Sequence, residues 1–298
     1  MRVAAAPVNP SDLGAMDGLY PGATRFPFVP GNEGSGTVVA AGSGLFARAL
    51  LGRRVACAAS PPSGGTYAEY LVTRADRCLP LRRDVELEQA ATLIVNPLTA
   101  LGLMEGAKRG GHRAIVNSAA ASALGRMVTR LAKREGVDVI AVLRSDEKRE
   151  MALQEGARYV ISSASDDFVS SLREAAQELR ATLFLDAVAG EFTGQLLEAA
   201  PEGSTVVLYG ALSSAALTAD PRTILFGDRR VEGFYLPTWL RGKGLLGLAR
   251  ISGRAQRLLG RELSTHVRER VSLEEAPAAV EGYRHAMGSG KVLLVPGA

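Results

Sequence analysis

The sequence is poor in the residues that staple or metallate small proteins. Its 298 residues include 2 cysteines, Cys57 and Cys78, and 3 histidines, His112, His266 and His285. Two cysteines cannot build a disulfide framework or a four-cysteine zinc lobe, and no histidine stands at ligand spacing from another histidine or from a cysteine. A metal site is therefore not expected. Long apolar runs are also missing, which argues against a membrane-spanning helix. The opening Met1 to Pro7 is interrupted by Asn9-Pro10 before a signal-peptide core could form, so a cytoplasmic location is expected. Strong charge of one sign is lacking too: 35 Lys and Arg against 31 Asp and Glu leave a net charge of +4. The cations are scattered, with no cluster longer than pairs such as Arg53-Arg54, Arg82-Arg83 and Arg229-Arg230. That distribution excludes a nucleic-acid stripe while suiting a small phosphate-bearing partner.

What is present is an ordinary globular composition, 47% apolar and 22% charged, at a length that suggests two domains. Two textures meet near residue 96. Up to about Val95 the chain is rich in Pro and Gly with short β-like runs, among them Thr37 to Ala41, Arg54 to Cys57 and Thr66 to Val72. Short runs bounded by turn residues predict a compact β domain. Beyond Asn96-Pro97, strands and helices alternate. Six strand candidates, at 114–116, 139–143, 159–161, 183–185, 205–209 and 231–235, are separated by helical segments. Strands joined by crossovers predict a parallel, doubly wound sheet of the Rossmann type. After a helical stretch to about Leu263 the tail reads as strand, helix and strand, with a capping-box pattern at Ser272 and Glu275.

The first α/β strand ends at Asn117 and runs through Ser118-Ala119-Ala120-Ala121-Ser122-Ala123-Leu124-Gly125 into a helix. Small residues there permit a tight turn, and Ser122, Ala123, Leu124 and Gly125 would offer free N–H groups to a pyrophosphate. Of three expected glycines only Gly125 is present, so plain packing of an Ala/Ser-rich helix start remains an alternative. The next strand ends at Leu143, where a dinucleotide fold places its ribose-reading residue. Arg144, Ser145 and Lys148 stand there instead of a carboxylate, which points to the 2′-phosphate of NADPH rather than the 2′-hydroxyl of NAD. A solvated charged turn is the other reading.

Asn9-Pro10-Ser11-Asp12, Gly18-Leu19-Tyr20-Pro21 and Pro30-Gly31-Asn32-Glu33-Gly34-Ser35-Gly36 resemble the medium-chain dehydrogenase/reductase superfamily. More narrowly they resemble its zinc-free branch of quinone oxidoreductases and 2-enoyl thioester reductases. The likeness continues through Asp186 to Gly190, Tyr209 to Ser213 and Gly290-Lys291-Val292, and so covers nearly the whole chain. Zinc-dependent relatives carry ligands where this chain has Asn9 and Asn32. The resemblance implies a GroES-like, mostly β substrate domain made by both chain ends (1–95 and 263–298) around a Rossmann domain (96–262). It also implies that Asn9, Tyr209, Gly210 and Lys291 join the cofactor site. Tyr20 matches the tyrosine that enoyl thioester reductases use near the substrate; a phenol stays protonated at neutral pH and can donate. A turn residue packing before Pro21 is the alternative. The stretch Phe234 to Trp239 resembles the border of the acyl pocket, with Tyr235 and Trp239 as lining residues, although an aromatic cluster at a strand end also serves as core or interface. Relatives carry further strands ahead of Asn9, which implies an N-terminally shortened substrate domain, and they commonly pair as homodimers through the final Rossmann strand.

Two functions follow. The first is a zinc-free NADPH-dependent reductase of an activated double bond, in a 2-enoyl thioester or a quinone. The second is a non-enzymatic NADPH-binding protein of the crystallin kind.

Overall fold

The computed structural model describes residues 1–19, 27–59 and 64–297. It divides into two compact units, Met1–Leu98 with Gly247–Ala298, and Thr99–Leu246.

In the first unit β1 (Arg2–Pro7), β2 (Glu33–Thr37), β3 (Arg54–Ala58) and β4 (Cys78–Pro80) come from the front of the chain. In the second unit follow β5 (Ala114–Asn117), β6 (Asp138–Leu143), β7 (Tyr159–Ser162), β8 (Leu183–Asp186), β9 (Thr205–Leu208) and β10 (Arg230–Gly233). The tail adds β11 (Val267–Val271) and β12 (Lys291–Leu294) to the first unit.

The first unit is built on one six-stranded sheet in the order β11-β12-β1-β2-β3-β4. Antiparallel pairing of β1 with β12, Ala6 opposite Leu294, joins the two ends of the chain. Val3, Ala6, Val55, Cys57 and Leu71 pack as one core cluster. Val8, Leu13, Tyr283, Val292 and Leu294 form a second. This is the GroES-like arrangement that the sequence implied, with β1 lying inside the sheet. Two front strands differ from expectation. The Thr37 to Ala41 run leaves the sheet at its first residue, and the strand is instead the glycine-rich Glu33–Thr37. Thr66 to Val72 forms no strand beyond an isolated bridge between Arg2 and Tyr70. β propensity there gives way to tertiary bonds, because Thr66 and Tyr67 turn their hydroxyls inward to Glu33 and Asp12.

The second unit carries a parallel sheet in the order β10-β9-β8-β5-β6-β7. The chain enters at β5, builds outward to β7, then crosses to β8 on the other side of β5. That reversal is the Rossmann switch point, where ligands enter at the carboxyl ends of the strands. Every residue of β5 and of β8 is buried, the continuous apolar texture of strands covered on both faces. Val116, Ile140, Phe184 and Val206 lie at the centre of this core.

The expected return to the substrate domain at residue 263 comes earlier in the structure, at Gly247. The helix Gly244–Leu258 straddles the division. Its second half is tied to the first unit through Gln256, whose amide accepts from the Arg82 N–H at 2.8 Å and donates to the Pro80 carbonyl at 3.1 Å. The capping box at Ser272 and Glu275 forms as read, with reciprocal bonds of 3.0 and 3.4 Å.

Candidate functional site

In the second unit the loop after β5 turns through Ala119, whose φ of 45° is left-handed. Ser122 then caps the helix Ala123–Arg134, its hydroxyl accepting from the Gly125 N–H at 3.0 Å. The Gly125 N–H is thereby taken out of the free set expected at this helix start, while the Ser122 hydroxyl keeps its own proton to donate. Gly125 is required for a different reason, since a Cβ there would lie 2.4 Å from the Ala119 carbonyl oxygen and 2.7 Å from Ala120 Cα. Asn117 fastens the same point from the strand side, donating to the Gly125 carbonyl at 2.9 Å and to the Thr129 hydroxyl at 3.1 Å. Ala123 and Leu124 open the helix, where N–H groups have no intrahelical acceptor and the dipole favours an anion. They remain the donors suited to a pyrophosphate.

β6 pairs with β5, Asn117 opposite Ala141, so Arg144 follows the carboxyl end of β6, on the side of the sheet where the loop departs. Arg144 and Ser145 are exposed. The nearby Asp146 carboxylate is engaged by Arg149 at 2.9 Å, which leaves the Arg144 guanidinium without an ion-pair partner among the described residues. Lys148 is half-buried and already engaged in a polar interaction.

Across the switch point, the Ser118 hydroxyl donates to Asp186 Oδ1 at 3.2 Å and accepts from the Ala187 N–H at 2.8 Å. Asp186 also holds the Val188 N–H at 2.7 Å and the Thr193 hydroxyl at 2.7 Å. A buried carboxylate thus shapes the loop after β8. Tyr209 follows β9 with its N–H on the Asp186 carbonyl at 2.9 Å. Its hydroxyl is buried and finds no partner among the described residues, and burial pushes the phenol above its ordinary range. A buried donor without an acceptor is costly, and such a group suits a ligand that supplies one. Gly210 stands against Ala187, where a Cβ would fall 2.8 Å from the carbonyl oxygen.

The aromatic stretch Phe234 to Trp239 packs on side chains of its own unit. Trp239 packs on Phe234 with ring centroids 6.2 Å apart, over Gly102, and beneath the Lys243 ammonium 4.7 Å from its ring. Lys243 is itself paired with Glu105. The indole is half-buried against these side chains, while Tyr235 is 59% exposed.

The first unit holds a buried polar cluster. Lys291 is 1% exposed. Its ammonium donates to the Val8 carbonyl at 2.9 Å, Asn9 Oδ1 at 2.5 Å and the Tyr283 hydroxyl at 3.2 Å. All three protons are used, and the Asn9 amide donates onward to Glu33 Oε1 at 3.0 Å. Asn9 and Lys291, which the resemblance placed in the cofactor site, thus hold each other. Glu33 Oε2 accepts the Ile94 and Val95 N–H groups at 2.8 and 2.9 Å. Asp12 accepts from the Asn9 and Asn32 N–H groups, both at 2.8 Å, and from the Tyr67 hydroxyl at 3.0 Å. Burial outweighs these donors and the Lys291 charge, pushing Asp12 up to about 6 and Glu33 up to about 7. Asn32, at the second ligand position of zinc-dependent relatives, donates to the Ser11 hydroxyl at 3.1 Å. Among the described residues no group of three or more His, Cys, Asp or Glu could hold a metal ion. Tyr20 lies outside the described residues.

The roles of Asp12, Glu33, Ser118 and Asp186 were not read from the sequence. Each stands in or beside a motif that was singled out, but a buried carboxylate looks the same as an exposed one until its neighbours are known.

Comparison with known proteins completes the picture. Residues 1–83 match the family model of the alcohol dehydrogenase GroES-like domain, and residues 123–249 that of zinc-binding dehydrogenases. A mitochondrial enoyl-[acyl-carrier-protein] reductase of Arabidopsis thaliana is 33% identical over 266 residues, covering 84% of this chain and 70% of that protein. The chain belongs to the medium-chain dehydrogenase/reductase family. It spans 65–70% of the length of these curated enoyl reductases. A family member of known structure, a Mesorhizobium loti protein assigned to the NADPH:quinone reductases, superposes with a TM-score of 0.93 at 34% identity, covering 99% of this chain and 86% of that one. A mycobacterial protein solved with NADPH gives a TM-score of 0.84 at 25% identity, covering 99% and 90%. As a family member the chain has a Rossmann sheet whose switch point is flanked by Ser118 and Asp186, with Arg144 beyond β6.

Proposed function

We propose that this medium-chain family member is a zinc-free reductase that uses NADPH to reduce an activated carbon–carbon double bond, with a 2-enoyl thioester as the first substrate class. The observation that carries the reading is the free Arg144 guanidinium at the carboxyl end of β6, in place of a ribose-binding carboxylate. NADPH, when bound, supplies a hydride. The chain's own residues bind and orient it: Ala123 and Leu124 offer N–H groups to the pyrophosphate, Arg144 and Ser145 meet the 2′-phosphate, and the Tyr209 hydroxyl offers an unused donor. The amides at Asn9 and Asn32, already engaged by Lys291, Glu33 and Ser11, support the zinc-free assignment. Hydride addition at the β-carbon of an enoyl thioester leaves negative charge on the thioester oxygen, and the α-carbon then takes a proton. In the proposed mechanism the Tyr20 phenol supplies the hydrogen bond to that oxygen.

Quinones form a second substrate class, supported by the similarity to the Mesorhizobium loti protein. We also propose a homodimer. The outer edge of β10 is open, and Leu225 and Phe226 in the preceding helix are 72% and 81% exposed, an apolar face that a second copy would cover.

The test is NADPH consumption with crotonyl-CoA and with p-benzoquinone, in protein assayed for zinc and treated with chelator. Turnover of crotonyl-CoA by zinc-free, chelator-resistant protein is expected. NADPH binding without turnover of either substrate would favour a non-enzymatic cofactor-binding protein, and stoichiometric zinc required for activity would overturn the zinc-free assignment.

A further inference from the structure

Cys57 and Cys78 take no part in the site described above. They are register partners on neighbouring antiparallel strands, β3 and β4. Both are free thiols, 0% and 8% exposed, and their Sγ atoms lie 2.9 Å apart. Residues directly opposite on antiparallel strands have Cα atoms about 4.5–5.5 Å apart, inside the window of about 4.4–6.8 Å that a disulfide requires. The sulfurs need approach by only about 0.9 Å to reach bonding distance. The backbone is already placed for a bond that has not formed.

The two thiols are not equivalent. Cys57 is enclosed, and its S–H donates to Cys78. That hydrogen bond, ahead of burial, pushes the Cys57 thiol up and holds the Cys78 thiol down. Among charged groups, the chain's N-terminal ammonium favours the Cys78 thiolate and Asp76 opposes it. Cys78 also stands on β4, an edge strand of the sheet, and is the more accessible of the pair. It therefore has the attributes of an attacking thiol, with Cys57 as the resolving one.

We propose that Cys57 and Cys78 form an oxidation site, at which a hydroperoxide converts the dithiol to a cross-strand disulfide. The Cys78 thiolate attacks the O–O bond, forming a sulfenic acid and releasing the second oxygen as water or alcohol once protonated. Cys57 sulfur then displaces the hydroxyl of that sulfenic acid; its proton leaves with the hydroxyl as water, and the S–S bond forms. The two sulfurs together lose two electrons, which reduce one peroxide bond. A dithiol reductant reverses the step by exchange.

The bond closes a loop from Cys57 to Cys78. Within it lie Thr66, which donates to the Glu33 carbonyl at 2.7 Å, and Tyr67, which donates to Asp12. Oxidation thus ties together the ends of a segment whose Thr66 and Tyr67 are bonded to Glu33 and Asp12, and loop closure stabilises the folded unit relative to the unfolded chain.

The experiment treats the full-length protein with hydrogen peroxide, alkylates it under denaturing conditions, and maps the peptides by mass spectrometry. The expected result is joint disappearance of the Cys57 and Cys78 thiols with a linked peptide, reversal by dithiothreitol, and a rise in Tm of about 5–10 °C. In Cys57→Ala, peroxide should leave a Cys78 sulfenic acid that dimedone traps, with no linked peptide and no rise in Tm. Progress of wild-type Cys78 to sulfinic acid without linkage would overturn the proposal. So would two thiols that stay fully alkylatable after peroxide treatment, or linkage found only between separate chains.

Discussion

Replacing Arg144 with alanine isolates the cofactor assignment from the rest of the fold. The side chain is exposed and makes no ion pair among the described residues, so its loss removes no internal contact and should leave Tm unchanged. Against a 2′-phosphate it would form a charge-assisted hydrogen bond, worth about 1.5–3 kcal/mol. Solvent around an exposed guanidinium screens that interaction, and Ser145 would share the phosphate, which places the loss near 1.5 kcal/mol, or about tenfold in affinity. NADH lacks the phosphate, so its affinity should barely move. The assay is fluorescence titration of wild type and Arg144→Ala with both cofactors at low and high salt. The wild type should prefer NADPH, the preference should shrink with salt, and the variant should lose about tenfold for NADPH alone. A wild type that prefers NADH, or a variant that loses both cofactors equally, would refute the reasoning and return Arg144 to a charged turn.

Gly125→Ala places a methyl 2.4 Å from the Ala119 carbonyl oxygen; because the obstacle is backbone, we expect a loss of about 1–3 kcal/mol together with weakened NADPH binding, and an unaltered Tm would contradict the packing role. Tyr20→Phe should slow crotonyl-CoA reduction by about 100- to 10,000-fold while slowing quinone reduction less, since a quinone oxygen can take its proton from water; equal rates to wild type on both substrates would make Tyr20 a packing residue. The buried carboxyls give an inverted pH dependence. Burial raises Asp12 from 3.8 to about 6 and Glu33 from 4.5 to about 7, so between about pH 4 and 7 the folded chain holds more protons than the unfolded one. Stability should fall as pH rises through that window, by about 1.4 kcal/mol per unit for each titrating group; urea midpoints that climb over the same range would show the carboxyls to be ionised throughout.

Much of the architecture could be read from the sequence because the second unit's strands are buried on both faces. Val139 to Leu143 and Leu183 to Leu185 read as short apolar runs between helical segments, a pattern that needs no knowledge of what lies opposite. The glycine-rich β2 could not be read so, since its strand character comes from β1 and β3 on either side rather than from its own side chains. Arg2 to Pro7 likewise carries no strand signature in its Ala-rich sequence and is a strand only because β12 and β2 flank it.

For the site the division follows the same physics. The sequence by itself determined the absence of metal-ligand spacing, the small-residue turn before Gly125, and a cation where a carboxylate would read ribose, because each depends on residue type at a fixed chain offset. The tertiary structure alone decided that Ser122 caps its own helix, that Trp239 packs on Phe234 under Lys243, and that Lys291 and Asn9 face each other 2.5 Å apart across 282 residues of chain. It also decided that Cys57 lies opposite Cys78. Hydrogen-bond partners and pKa shifts arise from desolvation and from neighbours brought together by folding, and neither quantity exists along the chain until the sheet has closed around them.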